Sequence, residues 1–184
     1  MRTRAVLATR RQIVRAVAAV FAAPSVAFAD EPASREPGGH RMSADDTSNA
    51  QRAEIMAALE RYAAAWRAGD VAALVACYHG DFTLHYFGRS ALAGEHRGRP
   101  AALRVLGEVS RRTNRRLVAI LDVMAGRRRG AVIAREAFHR DGTTVELDRV
   151  LVYTVRQGKL HECWVYDADQ ALVDRFLADV DPAR

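Results

Sequence analysis

Between Thr143 and Asp167 the chain reads TTVELDRVLVYTVRQGKLHECWVYD, two runs of β-branched and aromatic residues around Arg156-Gln157-Gly158-Lys159. In the first run Arg149, Leu151, Tyr153 and Val155 fall on one face and Asp148, Val150, Val152 and Thr154 on the other. In the second, Leu160, Glu162, Trp164 and Tyr166 alternate with His161, Cys163 and Val165. A period of two around a glycine-containing turn predicts a β-hairpin. Both of its faces carry apolar side chains, so the hairpin is expected at the centre of a sheet that is covered on each side.

The rest of the chain supplies the cover. Ile55, Leu59, Tyr62 and Trp66 repeat at helical spacing and predict a helix from about Ala50 to Ala68. Gly69 ends it, and Asp70 is placed to cap a short second helix from Val71 to Tyr78. Phe82 to Phe87 alternates as a strand, and Gly88 to Gly98 reads as a loop. Pro100 suits the first turn of a third helix that buries Ala102, Val105, Leu106 and Val109. Arg116 to Val123 and Ala131 to His139 read as two further strands. Asp167 and Gln170 are spaced as a capping box for a last helix, with Leu172, Val173 and Phe176 turned inward. Two helices, a strand, a helix and then a run of strands predict an α+β fold, a curved antiparallel sheet wrapped around the N-terminal helix.

Residues 1–29 have the layout of a secretory signal peptide: a basic start free of acids, an apolar run, and Ala27-Phe28-Ala29 before Asp30. Thr9-Arg10-Arg11-Gln12-Ile13-Val14-Arg15 resembles a twin-arginine export motif. A cleaved signal implies an exported protein, periplasmic or secreted; translation from Met42 would instead give an ordinary cytoplasmic N-terminus. The apolar run is too short for a stable membrane anchor. Residues 30–48 are rich in Pro, Gly, Ser and charge and are expected to be a disordered linker, with the folded domain over 49–180. Residues 1–41 hold seven of the 28 basic and three of the 22 acidic side chains, which leaves 21 against 19 for the remainder. That near-balance gives no electrostatic footprint for nucleic acid, and the preference for Arg over Lys reads as genome composition of a bacterial kind. Cys77 and Cys163 are the only cysteines; their spacing suggests neither zinc site nor disulfide framework, and a single bridge between them is the alternative to two free thiols.

The segments RYAAAWRAGDVAALVACYHGDFTLHY, AGEHRGRPAA and YTVRQGKLHECWVYDADQALVDRF, in this order of elements, resemble the SnoaL-like members of the nuclear transport factor two superfamily, which includes ketosteroid isomerases and polyketide cyclases. The resemblance covers about Ala50 to Ala178. It implies a cone-shaped barrel with one apolar pocket for a small hydrophobic or polycyclic ligand, no cofactor or metal, and a homodimer formed through the sheet. Tyr62 matches the helix-borne phenol that ketosteroid isomerases use as an oxyanion donor. Their carboxylate base is replaced by Tyr86, and their second donor, a protonated acid, by Leu151. A phenol with an ordinary pKa of about 10 is a poor base at neutral pH. In the SnoaL-type cyclases a His and an Asp stand fourteen residues apart on the last hairpin, where this chain has Leu151 and Val165. Neither dyad is intact.

The candidate ligand-binding residues are therefore Tyr62, Trp66, Tyr86, Leu151, Cys163 and Val165. Candidate catalytic residues are Tyr62 as electrophile with His161 or Asp148 as base. His161 shares the parity of Cys163 and Val165, and an imidazole suits proton transfer near neutral pH; a solvated position at the hairpin edge is the alternative. Asp148 reaches the pocket only if a bulge changes the register. Arg149 is read as a rim ion pair near the pocket mouth, and Glu162 as one half of a cross-strand charge pair. Arg127-Arg128-Arg129 reads as a solvated hairpin tip, and Arg111, Arg112, Arg115 and Arg116 as cations at a helix C-terminus, with an acidic-partner patch as the alternative. Three functions remain open: a small-molecule binder without chemistry, a proton-transfer isomerase, hydratase or cyclase, and a dimerisation or interaction domain.

Overall fold

The computed structural model describes residues 44–178. The expected signal segment and residues 30–43 of the expected linker lie outside them. Ten elements follow in order: α1 (Ala44–Ala68), α2 (Val71–Ala76), β1 (Tyr78–Tyr86), β2 (Gly94–His96), α3 (Arg99–Thr113), β3 (Arg116–Ala125), β4 (Gly130–Arg140), β5 (Thr143–Arg156), β6 (Lys159–Asp167) and α4 (Gln170–Leu177). The six strands form one sheet in the order β2-β1-β6-β5-β4-β3, so the predicted hairpin β5–β6 is central and the sheet does not close on itself. All pairings are antiparallel except β1 with β6, which run parallel. The antiparallel expectation fails there because β1 returns not to β6 but through β2 and α3.

Register shifts interrupt β1–β6, β5–β6 and, twice, β3–β4. Such bulges bend a sheet and increase its twist, and here they let it wrap the long helix: α1 touches β3, β4, β5 and β6. Ile55, Ala58, Leu59, Tyr62 and Ala63 are the buried stripe of α1. At Gly130 a Cβ would lie 2.4 Å from Leu59 Cδ1 and 2.7 Å from Ile55 Cγ2, so glycine is what lets β4 start against the helix.

The hairpin turn has Gln157 at φ 53° and Gly158 at φ 67°, the two left-handed residues that a two-residue loop needs to match strand twist. It is strapped to α1: the Gly158 amide donates to Glu54 Oε1 at 2.7 Å, and its carbonyl accepts from Arg61 at 2.7 Å. Local boundaries differ from expectation. α1 begins at Ala44, with Asp45 and Asp46 in a first turn where acids favour the helix dipole. α2 stops at Ala76 and Tyr78 already belongs to β1, because the bulge absorbs Gly80 and Asp81. The cap of α4 is Asp169, which accepts from the Leu172 amide at 2.8 Å; Asp167, expected in that role, turns into the interior. Both cysteines are free. No helix among the described residues is long and apolar enough to cross a membrane.

Candidate functional site

The concave face of the sheet presents its side chains in rungs. Tyr153 pairs with Cys163, Leu151 with Val165 and Arg149 with Asp167 across β5–β6, while β1 sets Leu84 beside Cys163 and Tyr86 beside Val165. α1 adds Tyr62 and the start of β1 adds Tyr78, so the first rung becomes a cluster of three phenols and a thiol. The Tyr62 ring lies 5.4 Å from that of Tyr153, 5.9 Å from Tyr78 and 5.5 Å from Trp66.

The Tyr62, Tyr78 and Tyr153 phenols share one wall of the site. Burial pushes the Tyr62 phenol up to about 12, held back by the neighbouring Tyr153 and Tyr78 hydroxyls. Burial also drives Tyr78 and Tyr153 well above the ordinary value, and the neighbouring Tyr62 raises them further. Cys163 is pushed up to about 12 by burial, held back by the neighbouring Tyr153 hydroxyl. All four groups are neutral at physiological pH.

A small cavity lies against this cluster. Tyr62, Tyr78, Tyr153 and Cys163 form its polar side, Phe82, Leu84, Leu151 and Val165 its apolar side, and Leu106 and Arg115 complete it. About 20 Å³ inside it is open to the centre of a water-sized sphere, room for about one water. Leu106 and Arg115 are the two lining residues that are not fully buried, so the way in lies between Leu106, in the middle of α3, and Arg115, just before β3.

One rung beyond Leu151 and Val165 is a buried ionic network. Arg149, about 1% exposed, donates from Nη1 to Glu136 Oε2 at 2.8 Å, from Nη2 to the Tyr86 hydroxyl at 2.8 Å and to Asp167 Oδ2 at 3.2 Å, and from Nε to Asp167 Oδ1. Burial alone would raise the Glu136 carboxyl, but the Arg115 and Arg149 guanidiniums outweigh it and hold Glu136 below its usual range. Arg115 reaches Glu136 more loosely, 3.3 Å from Nη1 to each oxygen, and donates from Nε to Ser110 Oγ at 3.0 Å.

Of the residues read from the sequence, Tyr62, Leu151, Cys163 and Val165 come together at the cavity. Tyr86 is buried but belongs to the ionic network, and Trp66 packs behind Tyr62. Asp148 lies on the opposite face of β5, where Arg135 holds it by two bonds of 2.7 and 3.0 Å. His161 sits at the β5–β6 bulge, its ring 5.3 Å from that of His79, and does not line the cavity. The bulge lets Leu160 and Cys163 both point inward, which breaks the parity that would have carried His161 in with them. Arg149 is at the centre of the buried network instead of at a rim. No group of three His, Cys, Asp or Glu side chains among the described residues is placed to hold a metal ion. Arg111 and Arg112 are bonded to Glu108, and Arg129 lies over the Trp164 ring at 4.3 Å, so these cations are spent within the fold.

A family profile described as SnoaL-like domain matches residues 59–163, more than half of the chain. The chain belongs to the SnoaL-like domain family. Solved structures agree on the fold. Bal32a, from a soil-derived mobile gene cassette, is 24% identical with a TM-score of 0.62 over 69% of this chain and 98% of its own. A nuclear transport factor two-like protein from Burkholderia xenovorans is 26% identical, with a TM-score of 0.56 over 68% and 97%. TerC, co-crystallised with polyporic acid, is 21% identical, with a TM-score of 0.58 over 67% and 98%. No match to this sequence was found among curated proteins. In this SnoaL-like domain Leu151 and Val165, at the positions that the resemblance gives to the cyclase His and Asp, face each other directly across the hairpin.

Proposed function

We propose that this SnoaL-like domain binds a small, largely apolar molecule that carries a hydrogen-bond acceptor, and that it does so without transforming it. The observation that carries this reading is the chemistry of the cavity wall. Tyr62, Tyr78, Tyr153, Cys163 and Arg115 can all donate, and no carboxylate or imidazole is among the described residues that line the cavity. General acid–base catalysis needs a group that can take up a proton near the working pH within hydrogen-bond reach of the substrate. Tyr62, whose phenol lines the cavity, is the natural donor to a ligand carbonyl or hydroxyl. The space as folded holds about one water, so a ligand enters by displacing the Leu106 side chain at the mouth.

Native mass spectrometry of protein purified from its own host tests the reading, with polyporic acid as a first compound to add to ligand-free material. A fixed mass increment that survives gentle ionisation and is lost in Tyr62→Phe is the expected result. An increment unaffected by Tyr62→Phe, or turnover of a bound compound, would contradict it.

A second reading is favoured by the convex face of the sheet. Val118, Leu121 and Met124 on β3, with Phe87 and Tyr166 packed on each other at 5.0 Å with their rings tilted by 32°, are each 40–48% exposed. Exposed apolar groups spread over one face are what a self-association surface presents, and a homodimer through this face is compatible with ligand binding on the other. Light scattering at micromolar concentration should give twice the chain mass, reduced to the single mass by Leu121→Asp; a single mass for the unaltered protein would rule the dimer out.

A further inference from the structure

The cavity has one cationic corner, and its cation is under-used. Arg149, one rung deeper, commits four of its five N–H groups to Asp167, Glu136 and Tyr86. Arg115 is placed differently. Its Nε bonds Ser110, and its Nη1 straddles the two oxygens of Glu136 at 3.3 Å. That is long beside the 2.7–2.9 Å of a well-made charge-assisted bond. Glu136 meanwhile accepts from Arg149 at 2.8 Å, so its charge is shared between two guanidiniums and is closer to the other one. Nη2 of Arg115 makes no hydrogen bond to any described residue. The side chain is 17% exposed, against 1% for Arg149, and it lines the cavity at the mouth. Its field also reaches Tyr62, Tyr78 and Tyr86, whose ionisation it favours.

A guanidinium with a free Nη2, lining the same cavity as the Tyr62 phenol and with no carboxylate among the described lining residues, is complementary to a planar group that has two acceptor oxygens and a negative charge. We propose that Arg115 makes this cavity selective for small carboxylates: Nη2 binds one carboxylate oxygen, Tyr62 donates to the other, and the apolar body lies against Leu84, Leu151 and Val165. The proposal rests on the reading of the cavity as a ligand site and names the class of ligand. Arg149 is excluded as the anchor because its neighbours already occupy it and the Leu151–Val165 rung separates it from the cavity. No bond is made or broken, so Arg115 is a specificity-determining residue and not a catalytic one.

Calorimetric titration of the full chain at pH 7 with benzoate and with benzamide, its uncharged isostere, tests the proposal. The unaltered protein is expected to bind benzoate at least tenfold more tightly, and Arg115→Met, which keeps most of the stem and removes charge and donors, to bring the ratio to about one while benzamide affinity is kept. Equal binding of both probes by the unaltered protein overturns the carboxylate proposal and leaves the ligand site standing. A preference that survives in Arg115→Met overturns it as well. If neither probe binds, the ligand site itself falls, and the proposal with it. Should Arg115→Met fail to fold, as its circular dichroism would show, Arg115→Lys decides: loss of the planar fork should lower the ratio several-fold, and an unchanged ratio counts against the assignment.

Discussion

Replacing Arg149 by Met should be the most damaging single change in the fold, and its pH dependence should run opposite to ordinary acid denaturation. Arg149 is about 1% exposed, and the side chains of its partners Glu136 and Asp167 are 2% and 1% exposed. The substitution leaves two carboxylates inside the barrel with only the loosely placed Arg115 in reach of Glu136. Removing one partner of a buried pair costs about 3–5 kcal/mol, a large share of the roughly 5–15 kcal/mol that stabilises a domain, and a fold of this size should lose roughly 10–20 °C in Tm. In the intact protein Glu136 is held below its usual range, so its contribution is present above the unfolded carboxyl value of about 4.3 and is lost as pH falls through the lower folded value. Between pH 7 and 5 the intact protein therefore gains or loses little from this group. In Arg149→Met burial prevails and pushes the Glu136 carboxyl up, so the penalty is full at pH 7 and is relieved as protonation begins. Urea denaturation followed by the fluorescence of Trp66 and Trp164 reads both. The deficit should narrow on going from pH 7 to 5. Adding Glu136→Gln and Asp167→Asn should recover most of it, since no unpaired charge remains. A deficit under about 1 kcal/mol, or one that widens towards pH 5, would refute the account of this network.

Other substitutions probe the mouth and the turn. Leu106→Ala should cost roughly 1–2 kcal/mol, less than a fully buried leucine, and should speed association of small aromatic probes in stopped-flow fluorescence; unchanged rates would place the entrance elsewhere. Gln157→Asn should stabilise by up to about 1 kcal/mol, because Gln157 holds φ 53° in a turn that favours Asn-Gly; a loss in Tm would show that the Gln side chain has a further role. A denatured mass of protein from its own host should begin at Asp30 if the N-terminal segment is a cleaved export signal, and a mass that begins at Met42 would refute export.

The parts of this fold that were legible in the sequence are those fixed by local periodicity. The stripe Ile55, Leu59, Tyr62 and the alternation from Arg149 to Val155 each name their own inward face. The first turn of α1 was not legible, because Ala44 to Ser48 is polar throughout and shows no stripe, and β2, at three residues, is too short to alternate. The site needed something more, the register between strands. Counted straight back from the turn, Arg149 would stand opposite Tyr166, and Trp164 would share the cavity with Leu151. The bulge between Val155–Leu160 and Thr154–Glu162 slides β6 by one residue, so that Cys163, Val165 and Asp167 face inward. That single slip puts Asp167 opposite Arg149 and leaves His161 outside. Two opposite charges on the inward parity of adjacent strands were the available signal for the network, but charged residues taken one at a time read as surface or cap. Glu136 gave still less, since nothing local distinguishes it from Glu146 or Glu162.

The account stands or falls on whether the cavity takes a ligand at Tyr62. The chain has five tyrosines, Tyr62, Tyr78, Tyr86, Tyr153 and Tyr166, so incorporation of 3-fluorotyrosine gives five fluorine signals, with exposed Tyr166 as an internal control. Acetophenone, a small apolar ketone, is titrated into this protein. The account predicts a saturable shift of the Tyr62 signal, smaller shifts for Tyr78 and Tyr153, whose rings lie against it, and none for Tyr166. A Tyr62 signal that does not move, or one that moves only in proportion with Tyr166, would contradict it.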